Sequence, residues 1–214
     1  MDIQKTKQQI IEEALKNIPF DGWTTNAFEK AVEDLKMDKA VLPALFPRGI
    51  QDYLNYFSEW ADDQMLEALE SINADDLKIR AQIRMAVQKR IEVLTPHKEA
   101  TRTAFKTYLN PQYARGGAKI TWRTADKIWN WAGDTSTDYN QYTKRGLLSG
   151  VIATTMTYWM RDESGSNDKT FEFLNNRIEN VVMIGQGSSK IIKPVESFIK
   201  NIVMPTVKSK MEKV

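Results

Sequence analysis

Asp134 and Asp138 stand four residues apart in the polar run Asp134-Thr135-Ser136-Thr137-Asp138, and two carboxylates at that spacing could act as a general acid and base. No nucleophile or metal-ligand cluster accompanies them. The chain has no cysteine and a single histidine, His97, so disulfides, thiolate chemistry and sites built on several histidines are excluded. His97 lacks an acidic partner at i+4 and reads as structural. The sequence also contains no pair of Glu-x-x-His segments for a di-iron centre, no Gly-x-Ser-x-Gly elbow, no phosphate loop and no dinucleotide fingerprint. Catalysis with a resident cofactor or metal is therefore not expected.

Local physics accounts for the two aspartates better than catalysis does. Thr124, Ile128, Trp129 and Ala132 recur at helical spacing, Gly133 is placed to end that helix in a left-handed conformation, and residues 134–138 offer N-caps for the next helix. Capping leaves the neighbours unexplained: Trp122, Trp129 and Trp131 precede the turn, and Tyr139, Tyr142, Lys144 and Arg145 crowd the start of the second helix. Aromatic residues and arginine beside a polar turn have the composition of a binding face. Tyr139, Tyr142 and Arg145 share a helical stripe and are expected to turn their polar tips to solvent.

The run Asp134-Thr135-Ser136-Thr137-Asp138, then Asn140, then Tyr142-Thr143-Lys144-Arg145, resembles the signature of the lipid-binding accessory proteins of ubiquinone biosynthesis, the ninth member of the coenzyme Q biosynthesis set. The likeness extends to Ile18-Pro19-Phe20-Asp21-Gly22-Trp23, Leu45-Phe46-Pro47-Arg48-Gly49, Lys78-Ile79-Arg80 and Phe173-Leu174-Asn175-Asn176-Arg177-Ile178. It implies a protein that is not itself an enzyme. Such a protein takes up a polyprenylated quinone precursor at a membrane and presents it to the di-iron demethoxyubiquinone hydroxylase. By this resemblance Asp134, Ser136, Asp138, Tyr139, Asn140, Gln141, Tyr142 and Arg145 form the partner-binding face. The family usually has tryptophan where this chain has Gln141, at the centre of that face.

These residues need a helical frame. Apolar spacing predicts about ten helices, and no segment sustains the alternation of a strand. A first helix is expected over residues 3–18, ended by Pro19 and Asp21-Gly22, and a second opens at Thr24 or Thr25. A short third runs through Val41, Leu42, Leu45 and Phe46, and a long fourth carries Ile50 to Leu69. Asp75 and Asp76 are expected to cap a helix reaching Leu94, and Pro96 to start another through Tyr108. Residues 110–117, with Pro111 and Gly116-Gly117, read as a loop or flap. Helices over 139–160 and 170–184 follow, separated by Ser164-Gly165-Ser166-Asn167. The uncharged run 146–160 is fifteen residues, short of the ~20 needed to span a bilayer, and places Gly146, Gly150 and Ala153 on one face suited to close packing.

Three short helices and a long one resemble the N-terminal module of TetR-type repressors, so the expected fold is all-α, a TetR-repressor-like bundle with an extra C-terminal amphipathic helix. The divisions are 1–72 for the helix-turn-helix-like module, 73–185 for a lipid-binding and dimerising bundle, and 186–214 for a linker and terminal helix. A homodimer follows from the apolar stripes of the last two bundle helices and from the resemblance. The competing function is a TetR-type ligand-responsive transcription regulator. Charge opposes it: residues 1–70 hold seven Lys+Arg against fourteen Asp+Glu, whereas a DNA reader must neutralise phosphates. No nucleic-acid partner is expected.

The remainder of the chain is basic, at +9. Gly185-Gln186-Gly187-Ser188-Ser189 has linker composition, and beyond it Ile191, Val195, Phe198, Ile199, Ile202 and Val203 share one helical face with Lys200 on the other. These residues, with Trp129, are the expected lipid or membrane contacts. The N-terminus enters an amphipathic helix without an apolar or arginine-rich leader. That suits a cytoplasmic protein peripheral on the bacterial inner membrane, or a trimmed organellar one on the mitochondrial matrix face.

Overall fold

The computed structural model describes residues 2–136 and 139–187, without the side chains of 139, 140 and 181–187. Ten α-helices make up the described chain: α1 (Ile3–Ala14), α2 (Ile18–Asp21), α3 (Thr25–Asp34), α4 (Val41–Leu45), α5 (Ile50–Leu69), α6 (Ile79–Leu94), α7 (Lys98–Tyr108), α8 (Pro111–Trp131), α9 (Tyr139–Arg161) and α10 (Asp168–Gly187). Among the described residues there is no strand, and no helix is long and apolar enough to cross a membrane. Two compact units are formed, one from Met1–Met65 with Glu92–Ile120 and the other from Leu66–Ile91 with the chain from Thr121. Helices α5, α6 and α8 run through both.

Aromatic rings hold the first unit together. Phe28 of α3 stacks on Tyr53 of α5 with ring centroids 3.5 Å apart, Phe46 meets Tyr53 edge-on, and Trp23 packs on Phe57 at 5.0 Å. The Trp23 indole N–H donates to the Ala100 carbonyl at 3.0 Å, which satisfies the ring's one polar atom and ties the α2–α3 turn to α7. Ile10, Ile11 and Ala14 of α1 and Ala27, Ala31 and Val32 of α3 complete this core. His97 packs edge-on against Trp60, and burial holds its pKa below the usual imidazole value. The second unit buries Ile83, Val87 and Ile91 of α6, Ala125 and Ile128 of α8, Val151, Ile152 and Trp159 of α9, and Leu174 and Ile178 of α10.

Several helix boundaries differ from expectation, each for a local reason. The first helix stops at Ala14 and Pro19 does not end it: with its ring accepted in the first turn, Pro19 belongs to the short α2. Thr24 caps α3 through its side chain, as expected. Asp75 and Asp76 lie inside a 3-10 turn capped by Asn73, and α6 starts only at Ile79.

The largest departure is at residues 110–117, which form the first turns of α8 and not a flap. Asn110 caps this helix, accepting from the Gln112 N–H at 3.1 Å, and Pro111 occupies the first helical position, where no N–H is required. Gly116 and Gly117 lie within this helix with the Tyr108 ring against them: a Cβ added at Gly117 would meet that ring at 3.3 Å. α10 continues through Gly187, so the start of the expected Gly/Ser linker is helical. The rest of the linker and the terminal amphipathic segment, Ile191 to Val203 with Lys200, lie outside the described residues. Gly146 is buried while Gly150 and Ala153 are exposed, so the small residues of α9 do not share one environment.

The two glycines should respond differently to substitution. A Cβ at Gly116 makes only ordinary contact at 3.8 Å. Gly116→Ala is expected to stabilise the chain by about 0.5–1 kcal/mol through helix propensity, whereas Gly117→Leu should destabilise it by displacing Tyr108, both read from urea unfolding.

Candidate functional site

The turn between α8 and α9 is built as a Schellman motif. Gly133 has φ of +75°, its N–H donates to the Asn130 carbonyl, and the Asp134 N–H reaches back to the Trp129 carbonyl at 3.0 Å. This geometry ends α8 where the glycine suggested. It also turns the Asp134 side chain inward, where its carboxylate becomes the centre of a charged cluster.

Arg145 of α9 completes that cluster. Its side chain is only 3% exposed, and its Nε donates to the Asp126 carboxylate, one Nη to Asp134 at 3.0 Å and the other to Asn130 at 3.2 Å. Asp126 and Asn130 are one turn apart on α8, so a single guanidinium binds the last turns of α8, the turn and α9. Lys144 joins from the side, with Nζ 2.6 Å from Asp134 and 2.8 Å from the Ser136 hydroxyl, which itself donates to Asp134. Burial opposes ionisation of Asp134. The hydrogen bonds from Lys144, Ser136 and Arg145 overcome it and bring its pKa down from 3.8 to about 2.

Aromatic rings surround the charges. Trp122 stacks on Tyr142 with centroids 6.3 Å apart, and Lys144 lies 5.4 Å over the Trp129 ring. The Trp129 indole nitrogen is buried without a hydrogen-bond partner among the described residues. Gln141 and Tyr142 are half-buried at the rim.

The expected partner face is thus brought together only in part. Asp134, Ser136, Gln141, Tyr142 and Arg145 converge, and Tyr139 and Asn140 are placed by backbone alone at the start of α9. Asp138 lies outside the described residues. One expectation needs correction. Arg145 does not show its tip to solvent, because two carboxylates and an amide hold it inside. Trp129 sits under Lys144 in this same cluster. The residues missed from sequence are Asp126 and Asn130. Their signal was present: Trp122, Asp126 and Asn130 at i, i+4 and i+8 form one helical stripe. The Ser136 hydroxyl and the Lys144 amine both donate to Asp134, and among the described residues no group of acidic, cysteine or histidine side chains could hold a metal ion.

Residues 114–185, which include the whole turn and both flanking helices, match the COQ9 family model. That stretch of the chain is similar to the COQ9 family. The chain is 28% identical over 207 residues to the ubiquinone biosynthesis protein COQ9-A, mitochondrial, of Xenopus laevis, and 24% identical over the same length to human COQ9, covering 94% of this chain in each case. A COQ9 protein of Drosophila melanogaster is 27% identical over 189 residues, covering 85% of this chain and 57% of its own length. The chain spans 65% of the length of the Xenopus and human relatives. In fold it is similar to a TetR transcriptional regulator of Nitrosomonas europaea, with a TM-score of 0.67 at 18% identity over 84% of this chain and 99% of that one. The family resemblance and the all-α, TetR-like fold expected from sequence are both confirmed.

The cluster makes stability depend on acid. Because the folded pKa of Asp134 lies below its ordinary value, its contribution of about 2 kcal/mol is present above about pH 4 and is lost as pH falls through about 2. Asp134→Asn is expected to be less stable at neutral pH and to flatten this acid limb, read by urea unfolding from pH 2 to 7.

Arg145 has the larger role in stability. Arg145→Ala leaves Asp134 buried beside a void and should cost about 3–5 kcal/mol. Arg145→Lys should recover only part of that, since an ammonium cannot reproduce the guanidinium fork. Chemical denaturation of the two variants measures the difference.

Proposed function

We propose that this chain is a non-catalytic accessory protein of ubiquinone biosynthesis, which binds a polyprenylated quinone precursor at a membrane and presents its head group to the di-iron demethoxyubiquinone hydroxylase. The observation that carries this reading is the match of residues 114–185, which include the α8–α9 turn, to the COQ9 family. The relatives are named ubiquinone biosynthesis proteins and are mitochondrial. The protein therefore works at the matrix face of the mitochondrial inner membrane, or at the cytoplasmic face of its bacterial counterpart. It supplies no reacting group. It contributes orientation and removal of a greasy substrate from water, and oxidation takes place on the partner.

In this reading Arg145 and Asp134 hold the face while its rim meets the hydroxylase. Gln141 and Tyr142 are half-buried there, on a helix whose position is set by the buried ion pair. A homodimer is supported by α9: Gly150, Ala153, Thr154 and Tyr158 form an exposed uncharged stripe, and Tyr158 stacks on Phe173 of α10 at 4.5 Å. The terminal amphipathic segment with its lysines serves as a membrane contact.

Regulation of transcription is the other reading that a TetR-like fold permits, and the acidity of residues 1–70 opposes it. One experiment separates the two. Organic extraction of the purified chain followed by mass spectrometry should recover a prenylated quinone, and pull-down with the hydroxylase should be strengthened by Gln141→Trp. A quinone-free protein that retards a genomic fragment at sub-micromolar concentration in about 0.15 M salt would establish the regulator instead.

A further inference from the structure

Residues 100–120 contain no aspartate or glutamate but four cations, Arg102, Lys106, Arg115 and Lys119, in a chain where 28 of 214 residues are acidic. Arg102 is held by Glu99, whereas Lys106, Arg115 and Lys119 have no carboxylate partner among the described residues. An apolar stripe leaves the core in the same segment. Thr101 and Phe105 of α7 and Leu109 at its C-cap lie one turn apart and are 8%, 37% and 68% exposed in that order. The chain then turns, and Leu109, Asn110, Pro111 and Gln112 are exposed in succession. The α7–α8 corner is therefore a protruding apolar tip surrounded by uncompensated positive charge.

Beside the corner lies a cavity of about 50 Å³, lined by Arg48, Gln51, Asn55, Tyr113 and Lys119 together with Tyr108 and Gly116. Arg48 keeps its pair with Asp52 at 2.6 Å. Lys119 and the Gln51 amide add donors that suit phosphate oxygens.

We propose that the α7–α8 corner docks on an anionic lipid surface, with Phe105 and Leu109 entering the interface, Lys106, Arg115 and Lys119 meeting the headgroups, and the cavity at Lys119 receiving a headgroup phosphate. Charge complementarity and size both point to a membrane. Two exposed apolar side chains are far short of the ~800 Å² per partner of a stable protein interface, while a shallow wedge flanked by long cations is sufficient at a headgroup layer. The first helices have the opposite balance, with seven Lys+Arg against fourteen Asp+Glu over residues 1–70. The corner therefore also fixes which end of this unit faces the lipid.

The test uses the absence of native cysteines. Leu109→Cys and, as a reference on α3, Asp34→Cys are each labelled with an environment-sensitive fluorophore in the full chain and mixed with vesicles of phosphatidylglycerol and phosphatidylcholine. The label at 109 is expected to shift to the blue and to be quenched by nitroxide on the acyl chains, while the label at 34 stays aqueous. Pure phosphatidylcholine should give little response. Lys106→Glu, Arg115→Glu and Lys119→Glu combined, with folding checked by circular dichroism, should raise the lipid concentration for half-response about tenfold or more. Flotation of the chain with the label at 109 still aqueous would overturn the proposal, as would no binding to anionic vesicles, an equal response on neutral ones, or an unaffected triple variant. Quinone recovery from the purified chain is measured separately, so failure here leaves the accessory-protein reading intact.

Discussion

One guanidinium organises the region of the chain that carries the family likeness. Arg145 enters α9 at the edge of a fifteen-residue uncharged run, and its side chain is withdrawn from water between Asp126 and Asp134. A charge at that depth is tolerated only if its donors are satisfied, and here two carboxylates, an amide and a carbonyl accept from it. The demand for satisfaction sets the register of α9 against α8. Asp134 can take part only because the Gly133 turn reverses the chain at that point, so backbone conformation and electrostatics depend on each other.

This arrangement gives the polar run 134–136 a different role from a pair of catalytic acids. A carboxylate held ionised well below its ordinary pKa cannot donate a proton near neutrality, and one already accepting from Lys144, Ser136 and Arg145 has little capacity left to act as a base. What faces outward is the rim, Gln141 and Tyr142, with Trp122 stacked behind the tyrosine to fix its ring.

A TetR-like fold in an acidic chain segment illustrates how little the frame says about use. The stacked rings of Phe28 and Tyr53, with Trp23 tied to Ala100, hold the first unit of that frame together. Surface charge varies along it: the first seventy residues hold seven Lys+Arg against fourteen Asp+Glu, while residues 100–120, in the same compact unit, hold four cations and no carboxylate.

Much of the frame was legible from sequence because helices report themselves through short-range periodicity. Thr24 as a cap, the extent of α5, the Gly133 terminus and the start of α9 all follow from residues within one or two turns of each other. So did the partition of charge and the absence of thiol and multi-histidine chemistry, which depend on composition alone. Tertiary contact decided the rest. Gly116-Gly117 looked like a loop because glycine weakens a helix, and only the Tyr108 ring lying against the second of the two shows why glycine suits that position. Arg145 looked like an interface residue because arginine beside tyrosine usually is one, and only the approach of Asp126 and Asp134, nineteen and eleven positions away, turns it inward. Burial of a charge is a property of partners distant in sequence, and local pattern carries no record of them.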